Sequence, residues 1–272
     1  VEVTLAKEGH DGIVSMNLLT KVQMPNLPTL YGALMAGVDY ILMGAGIPRE
    51  IPGALDAMAE GREAKLRFEV ENDTTGVAEY LKFDPAVHFE GAAPPVLKRP
   101  KFLAIISSHL LANVLARKAS GMVDGFVIEG PTAGGHNAPP REDVPNNDRG
   151  EPVYGDRDVV DLAKMRELGR PFWIAGGAGK PERVREALAA GAAGVQVGGL
   201  FAFCEESGVD PDIRRSVVEA ASRDGIDVYT DPLASPTGYP FKVVRWAGDP
   251  ALGVKRERLC DLGYLRTAYR QE

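Results

Sequence analysis

Short apolar runs recur along the chain, and most end in Gly, Ser or Asn before a segment with helical periodicity. This alternation predicts repeated strand-helix units and a parallel sheet. The candidate strands are residues 13–19, 40–44, 102–107, 125–129, 172–176 and 194–198, and the candidate helices are residues 29–36, 110–119, 159–168 and 181–190.

The helix at 181–190 has the clearest start and stop signals. Pro181 suits a first helical turn, Val184 and Leu188 share a face, and Gly191 ends the helix before the next strand. We therefore predict an α/β fold of the (β/α)8 TIM-barrel class, as a single domain over residues 1–272. Six strands do not close such a barrel, so we expect the first two βα units to be missing from the sequence or supplied from elsewhere.

Three segments interrupt the strand-helix rhythm. Residues 62–100 predict an inserted hairpin or flap, in which 64–70 alternates like an antiparallel strand, 85–89 pairs with it, and 91–100 is rich in Pro. Residues 137–156 predict a long loop of the kind that often forms a lid or binding surface. Residues 210–272 mix helix with a Pro-rich turn at 231–240 and are expected to cover one face of the barrel.

Composition narrows the classes of function. The chain is 44% hydrophobic and 25% charged, as globular proteins are, and its net charge of −7 argues against nucleic-acid or anionic-lipid partners. Cys204 and Cys260 form no disulfide framework or metal spacing, and no apolar run has the length of a membrane span. We expect a cytoplasmic protein without a metal, and a homo-oligomer is compatible with the sequence.

The first segment that suggests chemistry is 127–136, a strand that leads into a loop with Gly134, Gly135 and His136. Ligands bind at the carboxyl ends of parallel strands, where glycines allow the backbone to approach them closely. A histidine there can exchange a proton near neutral pH. From the residues alone, a histidine that only caps a turn is the more common case, and both interpretations stay open.

The second segment holds two strands that each end in paired glycines, Gly176-Gly177 and Gly198-Gly199. Backbone N–H groups in such turns can hold a phosphate without a basic side chain, although tight turns without a ligand have the same pattern. Lys180 is interpreted as a solvated residue. Asn17 and Ser107, at two other strand ends, suit either a ligand contact or a turn.

Taken in order, these motifs resemble the nitronate monooxygenase family, formerly called 2-nitropropane dioxygenases. The resemblance rests on 129–136, Glu-Gly-Pro-Thr-Ala-Gly-Gly-His, with 175–177, Ala-Gly-Gly, and 194–198, Gly-Val-Gln-Val-Gly. Segments 16–18, 41–48 and 235–242 also resemble one branch of that family. The likeness extends from residue 1 to about residue 245.

The resemblance implies an FMN-dependent oxidoreductase that oxidises alkyl nitronates or nitroalkanes with O2, giving a carbonyl compound and nitrite. It implies that His136 acts as a base or positions the substrate. It also implies two groups of cofactor-binding residues. The phosphate is held by Gly176, Gly177, Gly198 and Gly199. The residues that approach the ring or line the site are Asn17, Ser107, Gly134, Gly135 and Gln196.

The chain departs from the family pattern around the histidine. Thr132 stands where many members have Glu, and His136 is followed by Asn137-Ala138-Pro139 rather than by one residue and Gly. Two alternatives therefore stay open beside nitronate oxidation. One is an FMN-dependent, NAD(P)H-linked enoyl-thioester reductase with a similar Gly-Gly-His, and the other is a flavin-binding protein without turnover.

Overall fold

The structure is a computed structural model that describes residues 1–235, 238–250, 253–254 and 268–269. Its α-helices and strands in chain order are α1 (Glu2–Ala6), β1 (Ser15–Leu19), α2 (Asn26–Met35), β2 (Tyr40–Gly44), α3 (Ile51–Ala59), β3 (Ala64–Phe68), β4 (Val70–Glu71), β5 (Glu79–Phe83), β6 (Lys101–Ile106), α4 (His109–Lys118), β7 (Gly125–Glu129), α5 (Leu162–Glu167), β8 (Phe172–Ala175), α6 (Pro181–Ala189), β9 (Gly194–Gln196), α7 (Gly199–Ala202), α8 (Pro211–Ala221), β10 (Ile226–Asp231), β11 (Phe241–Trp246) and β12 (Ala268–Tyr269).

All six predicted parallel strands are present, and four of them are shorter or shifted by one or two residues at an end. The four predicted helices are present as α2, α4, α5 and α6. Helix α5 begins at Leu162 rather than at 159, because Val159 has an extended backbone after the short 3-10 helix Asp156–Asp158. The chain forms two compact units, which are described separately.

The first unit contains residues 1–126, 164–171 and 268–269. Strands β1, β2 and β6 pair in parallel in that order, with Met16 opposite Ile41 and Ile41 opposite Phe102. Ile41 and Phe102 are fully buried, as is Leu55 of the neighbouring helix α3. A strand that is apolar on both faces in this way is typical of a parallel sheet covered by helices.

Part of the inserted segment forms the antiparallel hairpin that the sequence predicts, but with a different second strand. β3 pairs with β5, so that Leu66 lies opposite Leu81, and the prediction that 85–89 is the partner is wrong. Residues Pro85–His88 are instead a 3-10 helix, whose first turn is capped by the Asp84 carboxylate accepting from Ala86 N. Pro85 has no N–H to give to a strand ladder, which favours the helical turn.

The second unit contains residues 127–163 and the described part of 172–260. β8 and β9 are parallel, with Ala175 opposite Gln196. Helix α6 connects these two strands along the chain. It ends as the sequence predicts, since Gly191 has φ +91° and its N–H donates to Leu188 O at 3.0 Å. Such a left-handed glycine satisfies a carbonyl group of the last turn.

The described part of the tail, up to residue 250, is more regular than its sequence suggests. Helix α8 is capped by Asp210, whose carboxylate accepts from Ile213 N, and the antiparallel strands β10 and β11 flank the Pro-rich segment. That segment is therefore a connection between two paired strands. Residues 255–267, including Cys260, lie outside the described residues, and the expectation that the tail covers a barrel face stays a prediction.

Candidate active site

His136 lies at the end of the loop that follows β7. Its Nε2 is 2.6 Å from Ser235 Oγ, and its ring meets the Phe241 ring edge-on with centroids 4.9 Å apart. Ser235 is 99 positions away in sequence. Spacing could not have identified it as a partner of the histidine, although the segment that contains it contributes to the family resemblance.

The backbone on both sides of His136 is hydrogen-bonded to the segment that begins β11. Lys242 N donates to Gly135 O at 2.9 Å, and Asn137 N donates to Pro240 O at 2.8 Å. His136 itself forms an antiparallel bridge with Phe241. The imidazole is therefore attached to backbone that is fixed immediately before and after it.

Partial burial lowers the pKa of His136 below its ordinary value of 6.5. Desolvation disfavours the charged imidazolium, so the ring is mainly neutral at neutral pH. A neutral imidazole can accept a proton, which is the property that a general base requires.

The loops after β7, β8 and β9 contact one another. A Cβ on Gly176, which has φ +95°, would lie 2.5 Å from Ala133 N in the β7 loop. A Cβ on Gly179 would lie 2.9 Å from Leu200 Cδ1, in the helix that follows β9. Glycine at these two positions is explained by close packing between the loops.

Other glycines at these strand ends face open space. A Cβ built on any of four of them would have no heavy atom within 4 Å: Gly134, Gly135, Gly198 and Gly199. At Gly177 the nearest atom is Thr132 Oγ1 at 3.8 Å. Such exposed glycine backbone leaves room for a ligand to approach closely, and this arrangement fits the phosphate and ring of a flavin mononucleotide.

The remaining predicted residues have different surroundings. Gln196 is half-buried at the end of β9, and Lys180 is exposed, as the sequence predicts. Asn17 is exposed within β1, and Ser107 follows β6 directly, both in the first unit. Their part in the same site stays a prediction.

Half-buried Glu129 and buried Asn137 form a polar pair for which the sequence predicts no role. Asn137 is 2% exposed, and its Nδ2 donates to Glu129 Oε1 at 3.2 Å. Burial raises the pKa of Glu129 to about 7, although the bond from Asn137 opposes that shift. The same carboxyl contributes, after burial, to raising the pKa of Tyr154 to about 12.

The raised pKa of Glu129 makes stability depend on pH. A carboxyl with a higher pKa in the folded state stabilises the fold below its unfolded pKa, and that contribution is lost as pH rises through about 7. As pH rises from roughly 5 to 8, the wild type should lose about 2 kcal/mol in free energy of unfolding that Glu129→Gln does not lose. Urea unfolding of both proteins at the two pH values measures this loss, and an identical difference at both would contradict it.

The predicted long loop is fixed at its ends. The buried carboxylate of Asp158 accepts from Arg141 N at 3.0 Å and from Gly155 N at 2.9 Å. The Tyr154 hydroxyl donates to Ala138 O at 3.0 Å. These bonds join the two ends of the loop beside the residues that follow His136.

The described residues contain no group of three or more His, Cys, Asp or Glu side chains placed to hold a metal ion. No described helix has both the length and the apolar character that a bilayer crossing requires.

Comparison with known proteins decides the family. The family model for nitronate monooxygenase matches residues 62–233, which is more than half of the chain. The chain belongs to the nitronate monooxygenase family. The matched region includes the His136 loop and the glycine turns at 176–177 and 198–199, so the family resemblance predicted from these motifs is confirmed.

Two relatives carry the same description. A probable nitronate monooxygenase of Bacillus subtilis (strain 168) is 31% identical over 128 residues, 47% of this chain and 35% of the relative. A probable nitronate monooxygenase of Staphylococcus haemolyticus (strain JCSC1435) is 28% identical over 140 residues, 51% of this chain and 38% of the relative. The matches thus span little more than a third of the length of these nitronate monooxygenases.

Solved structures show the fold of this nitronate monooxygenase family member. FabK from Thermotoga maritima has a TM-score of 0.53 and 19% identity, over 89% of this chain and 58% of that one. A mutant of the same protein has a TM-score of 0.55 and 19% identity, over 89% and 59%. Together with the family match, the likeness confirms the predicted α/β fold of the TIM-barrel class.

Proposed function

We propose that this chain oxidises alkyl nitronates or nitroalkanes with O2, using FMN held at the ends of β7, β8 and β9. The main support is His136, a partly buried histidine with a lowered pKa, on a loop that contacts the glycine turn after β8. Membership of the nitronate monooxygenase family supports this reaction class over others.

The exposed glycines supply the proposed cofactor site. The backbone at Gly177, Gly198 and Gly199 would hold the phosphate, where no side chain blocks the approach. Gly134 and Gly135 would lie beside the ring. When bound there, FMN would supply the electron transfer between the nitronate and O2, by which the substrate becomes a carbonyl compound and nitrite.

His136 supplies the proposed proton chemistry. His136 Nε2 is hydrogen-bonded to Ser235 Oγ; in the tautomer whose Nε2–H donates this bond, the lone pair of the neutral ring is on Nδ1, which would accept the α-proton of a nitroalkane. The hydrogen bond to Ser235 and the edge-on contact with Phe241 restrict rotation of the ring. Restricting the base in this way reduces the entropy lost in reaching the reactive geometry.

An anaerobic titration tests this proposal. The purified chain, reconstituted with FMN, is mixed with propionate 3-nitronate while flavin absorbance is recorded, and nitrite is measured after O2 is admitted. We expect bleaching by the nitronate followed by nitrite release. Bleaching by NADPH instead of the nitronate would favour an enoyl-thioester reductase, and retention of flavin without any turnover would favour a binding protein.

Gly198→Val tests the phosphate position separately from catalysis. The residue has φ −114° and open space at its Cβ, so valine should be compatible with the fold. We expect FMN to bind at least ~10-fold more weakly, as for the loss of one hydrogen bond to a charged group. Flavin fluorescence quenching gives the affinity, and Gly208→Val, which is also open but outside the turns, serves as control. Equal affinities in the two variants would remove Gly198 from the site.

A further inference from the structure

The residue directly after His136 has an unusual environment. Asn137 is almost fully buried, and its Nδ2 has three acceptors within reach: Glu129 Oε1 and Ala133 O at 3.2 Å, and Gly130 O at 3.5 Å. A reversed amide would place its oxygen against the two carbonyl oxygens. The surroundings therefore determine the orientation of the amide.

This orientation has an energetic cost. Asn137 Oδ1 is buried, and the described residues provide no hydrogen-bond partner for it. A buried acceptor without a partner destabilises the folded state. The bonds made by Nδ2 oppose that penalty and connect the loop to the end of β7.

Asn137 also joins two parts of the site. Its side chain is bonded to the end of β7 and to the middle of the His136 loop, while its backbone N–H donates to Pro240 O at the start of the β11 segment. Ser235, the partner of the His136 ring, precedes that same segment. The position of His136 relative to Ser235 thus depends on a residue that connects both sides.

We propose that Asn137 is a positioning residue: its side-chain amide ties Glu129 to the His136 loop, so that its backbone N–H meets Pro240 O and the His136 imidazole is fixed against Ser235. The consequence for catalysis rests on the proposed function, whereas the placement of the imidazole does not. Asn137 has no proposed contact with substrate. Its role is to keep the base in one orientation.

The placement is tested without flavin or substrate. In Asn137→Leu, which has a similar shape but no amide, the His136 ring should become more solvated, and its pKa should rise towards the ordinary 6.5 of histidine. Proton NMR titration of the imidazole signals measures this pKa, with circular dichroism confirming the fold. Asn146→Leu is the matched control, because Asn146 donates to a backbone carbonyl in the same loop but is exposed.

A second measurement tests whether Asn137 acts through the histidine. The measurement is a double-mutant cycle, in which nitroalkane turnover is compared for the wild type, Asn137→Leu, Ser235→Ala and the double variant. We expect kcat to fall about 10-fold in each single variant, with KM little changed, and the double variant to lose much less than 100-fold. Fully additive losses would overturn coupling through the imidazole.

The outcomes separate the two proposals. If the wild-type chain turns over no nitronate or nitroalkane while the His136 titration shifts in Asn137→Leu, the proposed function is rejected and the positioning role is kept. An unshifted titration in a folded Asn137→Leu would reject the positioning role. If the leucine variant does not fold, Asn137→Ser, whose hydroxyl can donate one bond, is titrated instead, with the same expected shift and the same rejecting result.

Discussion

His136→Asn is expected to lower turnover of a neutral nitroalkane by roughly 100-fold or more, the scale of losing a general base. Asparagine keeps a polar side chain near Ser235 but cannot accept the α-proton. A substrate supplied as the preformed nitronate has already lost that proton, so its oxidation should fall much less. Stopped-flow flavin reduction with the two forms of one substrate gives the comparison.

Two observations would show that the effect is chemical. Flavin content and the unfolding transition of His136→Asn should match those of the wild type. Wild-type turnover of the nitroalkane should also rise with pH as the imidazole loses its proton, at a pH below the ordinary pKa of histidine. Equal losses for nitroalkane and nitronate would instead assign His136 to substrate positioning.

Gly176→Ala is expected to lower the free energy of unfolding by about 3 kcal/mol. The added methyl would lie 2.5 Å from Ala133 N and 2.7 Å from Thr132 C, both backbone atoms that no side-chain rotation can move away. The residue must also keep φ +95°, which L side chains rarely adopt. Both effects oppose the native contact between the β7 and β8 loops.

Gly134→Ala is the matched control for this variant. Gly134 belongs to the same loop pair, but its Cβ position is open and it lacks a positive φ. Urea unfolding should show a change of less than about 1 kcal/mol for Gly134→Ala. A similarly small change in Gly176→Ala would mean that the two loops are not in close contact in the folded protein.

The sequence predicts the parallel strands well because each is an apolar run bounded by turn residues. It does not reveal α3, since Pro52 and Gly53 look like helix breakers. In the structure Pro52 lies in the first turn, where proline is tolerated. A Cβ on Gly53 would meet Ser120 Oγ at 2.6 Å, so the glycine reflects tertiary packing.

Some residues of the site can be predicted from local sequence motifs, whereas others are recognised only by contacts between distant residues. The glycine turns and His136 are local motifs, and the family match contains them. The contact with Ser235 and the β10–β11 pairing depend on residues that are distant in sequence and that only the folded chain brings together. In the sequence Asn137 is only the first residue of a segment, 137–139, that differs from the family pattern, and its three acceptors come together only in the folded chain.

The carboxylate of Asp158 has a practical consequence for protein engineering. By joining Arg141 N to Gly155 N, it closes the long loop at its base. The exposed tip at 143–148 could therefore be replaced by a peptide of different length, because the added chain begins and ends at fixed points and lengthening a loop costs little entropy. A reporter tag or a grafted recognition sequence placed there should leave the histidine undisturbed.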